Sequence, residues 1–269
     1  NGQELSFYNQ GTNGLCYQQV IMDLPQLDSD LLSVLPLYTT CISELGVGEM
    51  DYTAVQTWQA QVSGGLHCFT SMRSHMDDVQ KTRNVLAFSS KALTANHAKL
   101  TELVGRTVNE CRFDEGQRVH ELIQQLCARR ENSITGQGHS LAMALACSRM
   151  SPTARLSHQF GGLEGIKSLK TLRGKLEDDE AIITLLSQFQ QLHKLILQAP
   201  RQFLLIAEQE HQTGLIDDLE QYWQDPGAQE TDSRLELPPL RASIKQAWLT
   251  ATQVSFCAKA YATVPSSHE

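Results

Sequence analysis

Apolar residues recur along this chain at two periods, and the switches between them outline its elements. Residues 14–24 (GLCYQQVIMDL) follow the turn-like Gly11-Thr12-Asn13-Gly14 and read as a strand. Leu31, Leu32, Leu35, Tyr38, Ile42 and Leu45 then recur at helical spacing up to Gly46. Asp28 and Ser29 offer caps for that helix, and Pro36 is expected to kink it. Asp51 opens a shorter helix carrying Val55, Trp58 and Val62, which Gly64-Gly65 ends. Two strands are predicted next, over residues 66–72 and 85–88, with 74–81 as a polar loop between them.

Residues 94–108 are amphipathic, with Leu100, Leu103, Val104 and Val108 on one side. Asp114 with Gln117 makes a candidate capping box for a long helix bearing Val119, Leu122, Ile123, Leu126 and Cys127. Gly136-Gln137-Gly138 reads as a break between helices, and the acidic run Glu177-Asp178-Asp179-Glu180 as a helix N-terminus. Ile182, Leu185, Leu186, Phe189, Leu192, Ile196 and Leu197 mark a further helix. Residues 202–207 (QFLLIA), behind Pro200, are expected to form a buried strand, and 213–223 a last amphipathic helix. Residues 225–240 (DPGAQETDSRLELPPL) lack any period and have the composition of a linker. The Thr-, Val- and aromatic-rich stretch 246–264 is expected to be strand.

Strands interleaved with helix pairs, without strict β-α-β alternation, predict an α+β domain: helices packed on one mainly antiparallel sheet, followed by a strand-rich stub. The expected boundaries are a domain over 1–225, a linker over 226–240 and the truncated beginning of another domain over 241–269. The start at Asn1-Gly2, without Met, fits an excised segment. The net charge of -8 argues against a nucleic-acid partner, which would favour a basic face. No apolar run is long enough to span a bilayer, so no membrane partner is expected. The seven cysteines are odd in number and none are at C-x-x-C spacing, so a reducing compartment, cytoplasmic or organellar, is the simplest setting.

The side chains that carry chemistry form no known constellation. Nine histidines are present, but His67, His75, His120, His193 and His211 stand apart, and His120-Glu121 lacks the second histidine of a zincin motif. Ser133, Ser140 and Ser148 near His139 lack the G-x-S-x-G elbow of a serine nucleophile. No catalytic and no metal-ligating residue is therefore expected in this chain.

One stretch is more specific. Residues 132–165 run through Gly138-His139-Ser140 to Ser148-Arg149-Met150-Ser151-Pro152 and Gln159-Phe160-Gly161-Gly162-Leu163. With Asn13-Gly14, Leu35-Pro36-Leu37, Glu44-Leu45-Gly46, Asp51-Tyr52 and Ser63-Gly64-Gly65 in order before it, the chain resembles the third domain of pitrilysin/insulinase-type zinc peptidases, presequence-protease branch. Residues 253–265 (QVSFCAKAYATVP) resemble the opening strand of that family's fourth domain.

The resemblance implies four homologous domains in two hinged halves around a peptide-holding chamber. Zinc would be bound in the first domain by an H-x-x-E-H motif, whose glutamate acts as base on the zinc-bound water. No H-x-x-E-H occurs in these 269 residues, nor the R-E-x-G-G-A-Y-like segment of the fourth domain. The chain is thus expected to be an inactive part of a zinc endopeptidase. It would hold no cofactor, while zinc resides in the parent enzyme. Its partners would be the catalytic N-terminal half of the same polypeptide and peptide substrates. Gly138, His139 and Arg149 are the candidate chamber or structural signature. A rival expectation is a non-catalytic structural or peptide-binding subunit of the same fold. The strand after Leu240 is expected to leave an unpaired edge and to add through it to the third domain's sheet or to a neighbouring molecule, a route to self-association.

Overall fold

The computed structural model describes residues 4–223, 234–251 and 253–263. It divides into two units, one of residues 1–71, 84–119 and 184–235, the other of 72–83, 120–183 and 236–269. The fold is α+β, as expected, with most of the sheet in the first unit. Its strands are β1 (Glu4–Asn9), β2 (Leu15–Asp23), β3 (Leu66–Ser74), β4 (Thr82–Leu93) and β5 (Arg201–Ala207), in the order β1-β5-β2-β4-β3. The sheet is mixed: β1 lies parallel to β5, and β2 antiparallel to both β5 and β4.

β1 is absent from the sequence expectations. Its six residues, ELSFYN, alternate polar and apolar only over Glu4 to Phe7, a run too short to decide, and form an edge strand with none buried. β4 is also longer than the expected 85–88, because pairing with β2 carries it from Val85 opposite Asp23 to Leu93 opposite Leu15.

The sheet has one buried face. Cys16, Gln18, Val20 and Met22 of β2 point into it beside Ala92, Ser90, Phe88 and Leu86 of β4, and all are buried. Helices α1 (Ser29–Cys41), α2 (Tyr52–Val62), α3 (His97–Glu110) and α9 (Gln212–Tyr222) belong to this unit with the later part of α8 (Asp179–Leu197). The α3 residue Thr101 donates to Gln18 Oε1 at 3.1 Å, and Trp223, just after α9, meets Phe203 edge-on at 5.4 Å. His97 of α3 also contacts the Asp218 carboxylate of α9.

Asp28 caps α1 by accepting from Asp30 and Leu31 N, and Asp51 caps α2 by accepting from Ala54 N. The first helix continues through Pro36 to Cys41. The expected capping box at Asp114 gives way to another arrangement. Arg112 engages the Asp114 carboxylate in a fork, at 3.1 and 2.9 Å, and α4 (Gly116–Gly136) starts with Val119 N on Glu115 O. The Glu115 side chain instead reaches back 69 residues to Gly46 N at 2.6 Å, and to Tyr52 N at 2.9 Å.

The second unit is helical: most of α4, then α5 (Gly138–Cys147), α6 (Pro152–Gly161), α7 (Leu163–Lys175) and the start of α8. Glu131 of α4 pairs with Lys170 and Arg173 of α7 at 3.1 and 2.9 Å. Ser151 caps α6 through Ala154 N. Gly162 makes the sharp α6–α7 turn possible, since a methyl group there would overlap His158.

The expected strand over 246–264 is not formed. Residues 246–251 and 253–263 are irregular, and Val264 lies outside the described residues. β-branched composition is only a preference, and it yields a strand where a neighbouring strand takes up the backbone groups. Here a backbone bond of this stretch runs from Ala242 N to Arg149 O, in a helical unit, and not to a neighbouring strand. The expected strand-mediated self-association therefore loses its strand. The linker stretch falls mostly outside the described residues, but Arg234 and Leu235 are fixed against the end of β2: Leu235 N donates to Leu24 O at 2.8 Å, and Asn84 Nδ2 to Leu235 O at 2.9 Å.

Two stability predictions follow from the core of the first unit. Glu115→Ala leaves two main-chain donors without their charged acceptor and should cost about 2–3 kcal/mol, whereas Glu115→Gln, which keeps one oxygen, should cost less than half of that in thermal melts. The second concerns His193, whose Nδ1 shares a 2.8 Å hydrogen bond with the Tyr38 hydroxyl beneath Phe113 and Phe189. Burial pushes its pKa down to about 4. The folded value lies below the unfolded one, so this contribution is full above about pH 6.5 and is lost as pH falls through about 4. Unfolding free energies from urea titrations at about pH 7 and pH 5 should differ by roughly 2 kcal/mol more in the wild type than in His193→Gln.

Candidate functional site

The residues singled out in the sequence all fall in the helical unit. Gly138 and His139 open α5 just after the break at Gln137, and Arg149 follows its C-terminal end. His139 and Arg149 have exposed side chains. Arg149 adds to a field in which Arg155 dominates: the fork of Arg155 on Glu164 lowers the pKa of that carboxylate, with His158 and Arg149 contributing in the same direction. Gly138 is packed against Phe256.

The other candidates are dispersed. His75 lies 3.7 Å from Asp77, His120 Nε2 3.1 Å from Gln124, and His211 3.5 Å from Glu210. Among the described residues no three His, Cys, Asp or Glu side chains converge on one point. The donor set of an H-x-x-E-H zinc centre does not fit this chain, and no step through zinc is derived for it. Ser133 and Ser148 hydroxyls donate to Arg130 O and Leu145 O, one helical turn back, at 2.8 and 2.7 Å. Burial raises the Cys16 thiol and pushes Cys41 up to about 12, the reverse of an activated nucleophile.

What remains is a surface. On the sheet face opposite the core, residues paired in register lie side by side: Tyr17 between Ile206 and Lys91, Gln19 between Leu204 and Ser89, Ile21 between Gln202 and Ala87. β1 extends it with Tyr8 opposite Ile206 and Ser6 opposite Leu204. All are half-buried except Lys91 and Tyr8, which are exposed, and Ala87, which is buried. Gln19 Nε2 donates to Ser89 Oγ at 3.2 Å, which orders the middle of this face. It offers apolar and aromatic surface with a few amides and hydroxyls, and no titratable cluster. Leu204 and Ile206 were expected to be buried, because a continuous apolar run suggests cover on both faces. The signal for an open face was the alternation of β2, with Tyr17, Gln19 and Ile21 between its buried positions.

Sequence comparison places this geometry in a family. The model of the family described as Peptidase M16C associated matches residues 1–172. The mitochondrial presequence protease of Danio rerio is 27% identical over 171 residues, covering 64% of this chain and 17% of that protein. That of Candida albicans is 26% identical over 210 residues, covering 74% of this chain and 20% of that protein. The chain thus spans about a fifth or less of these curated relatives. The same fold occurs in the peptidase M16 inactive domain from Pseudomonas fluorescens, with a TM-score of 0.52 at 16% identity over 91% of this chain and 51% of that one. The periplasmic protease PqqL from Escherichia coli gives 0.50 at 14% identity, over 87% and 23%. With well over half of its length matched by the family model, the chain belongs to the peptidase M16C-associated family.

Proposed function

We propose that this chain is a non-catalytic part of a zinc-dependent endopeptidase of the presequence-protease type, and that its half-buried sheet face forms part of the wall of the peptide chamber. The family match carries the reading, together with relatives named presequence protease and a sequence without H-x-x-E-H. In this reading zinc and the general base belong to another part of the polypeptide. Residues 1–225 are the third-domain-like unit, 226–240 a linker and 241–269 the beginning of the next domain. Gly138, His139 and Arg149 act as structural signature rather than as catalysts. The setting is organellar, as the names of the mitochondrial and chloroplastic relatives suggest.

The face suits a wall. Tyr17, Ile21, Leu204 and Ile206 offer apolar contact at modest ordering cost, while Gln19 and Ser89 supply hydrogen bonds that do not specify one side chain. An unfolded peptide could be held there in many registers, as an enzyme of broad peptide specificity requires.

The isolated chain should bind no stoichiometric zinc by elemental analysis and cleave no unfolded peptide with zinc supplied. In the intact polypeptide, Tyr17→Arg with Ile206→Arg should raise KM for a peptide substrate by about 5-fold, near 1 kcal/mol of lost contact, with kcat and melting temperature little changed. Zinc-dependent hydrolysis by the chain alone would sink the non-catalytic assignment. Unchanged KM in the double variant would remove the wall.

A further inference from the structure

The helices of the second unit carry an extended companion. Residues 241–251 and 253–263 form neither helix nor strand, and nearly all are exposed. Yet the segment touches the helical unit at a series of points. Leu240 N donates to Gln80 Oε1 at 2.7 Å, and Ala242 N to Arg149 O at 2.8 Å. Trp248 stands edge-on to the His158 ring, with centroids 6.3 Å apart, and Lys167 Nζ lies 5.9 Å from the indole centroid. Phe256 rests on Gly138 so closely that a methyl group at that position would overlap its ring.

Main-chain bonds at one end and two aromatic anchors beyond are the pattern of a docked extended peptide. Beyond Leu240, whose partner Gln80 lies between β3 and β4, each contact has a matching feature in or just after the helices. Gly138 provides a notch by lacking Cβ, Lys167 a cation for an aromatic face, and the Arg149 carbonyl an acceptor at the end of α5. Under Trp248, His158 is buried, and neither of its ring nitrogens meets a hydrogen-bond partner among the described residues; the Glu164 carboxylate stands 3.8 Å away.

From this geometry we propose that the face formed by α5, α6 and α7 is a docking groove for extended peptide segments with two bulky aromatic side chains eight positions apart, as Trp248 and Phe256 are, and that this chain's own segment, seated at Ala242, Trp248 and Phe256, occupies it in cis. The occupant is only partly covered: Phe256 remains 39% exposed, and nearly all the described residues of 241–263 are exposed. A segment so held detaches without disturbing the helices below. A second peptide of the same chemistry then enters, and the intramolecular competitor lowers its apparent affinity in proportion to its own occupancy. The proposal does not depend on the peptidase reading, since the groove and its occupant both lie within this chain.

The test is a titration of the full 269-residue chain against a fluorescently labelled synthetic peptide with the sequence of residues 238–258. Weak binding to the wild type is expected, at least about tenfold tighter binding to Trp248→Ala/Phe256→Ala, and loss of that gain when Gly138→Val is added. Equal affinity for wild type and double variant overturns the proposal, as does a Gly138→Val change without effect. Should Gly138→Val not fold, hydrogen exchange decides. Amides of 138–161 should exchange faster in the double variant and regain protection when the peptide is added, and unchanged exchange in both states overturns the groove.

Discussion

The sheet depends on a strand that arrives late in the chain and sits near its centre. β5 enters between β1 and β2, with Phe203 opposite both Val20 and Leu5. Since β5 follows β2 by almost the whole length of the described domain, its pairing closes a very long loop, and the entropy of that closure precedes any gain from the contact. That cost falls as the intervening helices order and shorten the effective loop. Among the described residues β1 pairs with β5 alone, so the N-terminal strand depends on that insertion.

Such a scaffold arranges packing rather than reactivity. Tyr38, Phe113, Phe189 and His193 form one aromatic cluster in the first unit. Burial raises the Tyr38 hydroxyl and Cys111 thiol and lowers the His193 imidazole, so each is kept neutral near neutral pH. A catalytic site would instead set a charged group beside its complement within reach of substrate. Charged pairs such as Arg155 with Glu164 and Glu131 with Lys170 and Arg173 join helix to helix. Chemistry that a scan of His and Cys residues suggests is thus absorbed by the core and the helix junctions.

The elements that were legible in the sequence are those whose signal is local. The alternation of β2, the Asp28 and Asp51 caps and the long apolar stripe of α8 each state their conformation within a dozen residues. Where the reading failed, the determining partner lay far away. β1 is a strand because residues 202–207 lie beside it, and nothing in ELSFYN announces them. Glu115 serves Gly46 and Tyr52 instead of its own helix, an allegiance that no capping pattern encodes. Residues 246–263 show the converse: a composition suited to a strand that meets helices instead of a sheet edge.

The signature Gly138-His139 and Arg149 invites a search for side-chain chemistry, and the structure points elsewhere. At Gly138 the operative feature is the absence of a side chain, which lets an aromatic ring approach the helix start. At Arg149 it is the carbonyl, which accepts from Ala242 while the guanidinium stays exposed. Both contacts are thus made at the main chain. A glycine is recoverable from sequence because only one residue type meets such a steric demand, whereas a carbonyl is supplied by any residue. Of the two, only Gly138 has an identity that its contact in this unit explains, and the side chain of Arg149 matters here only through its charge near Glu164.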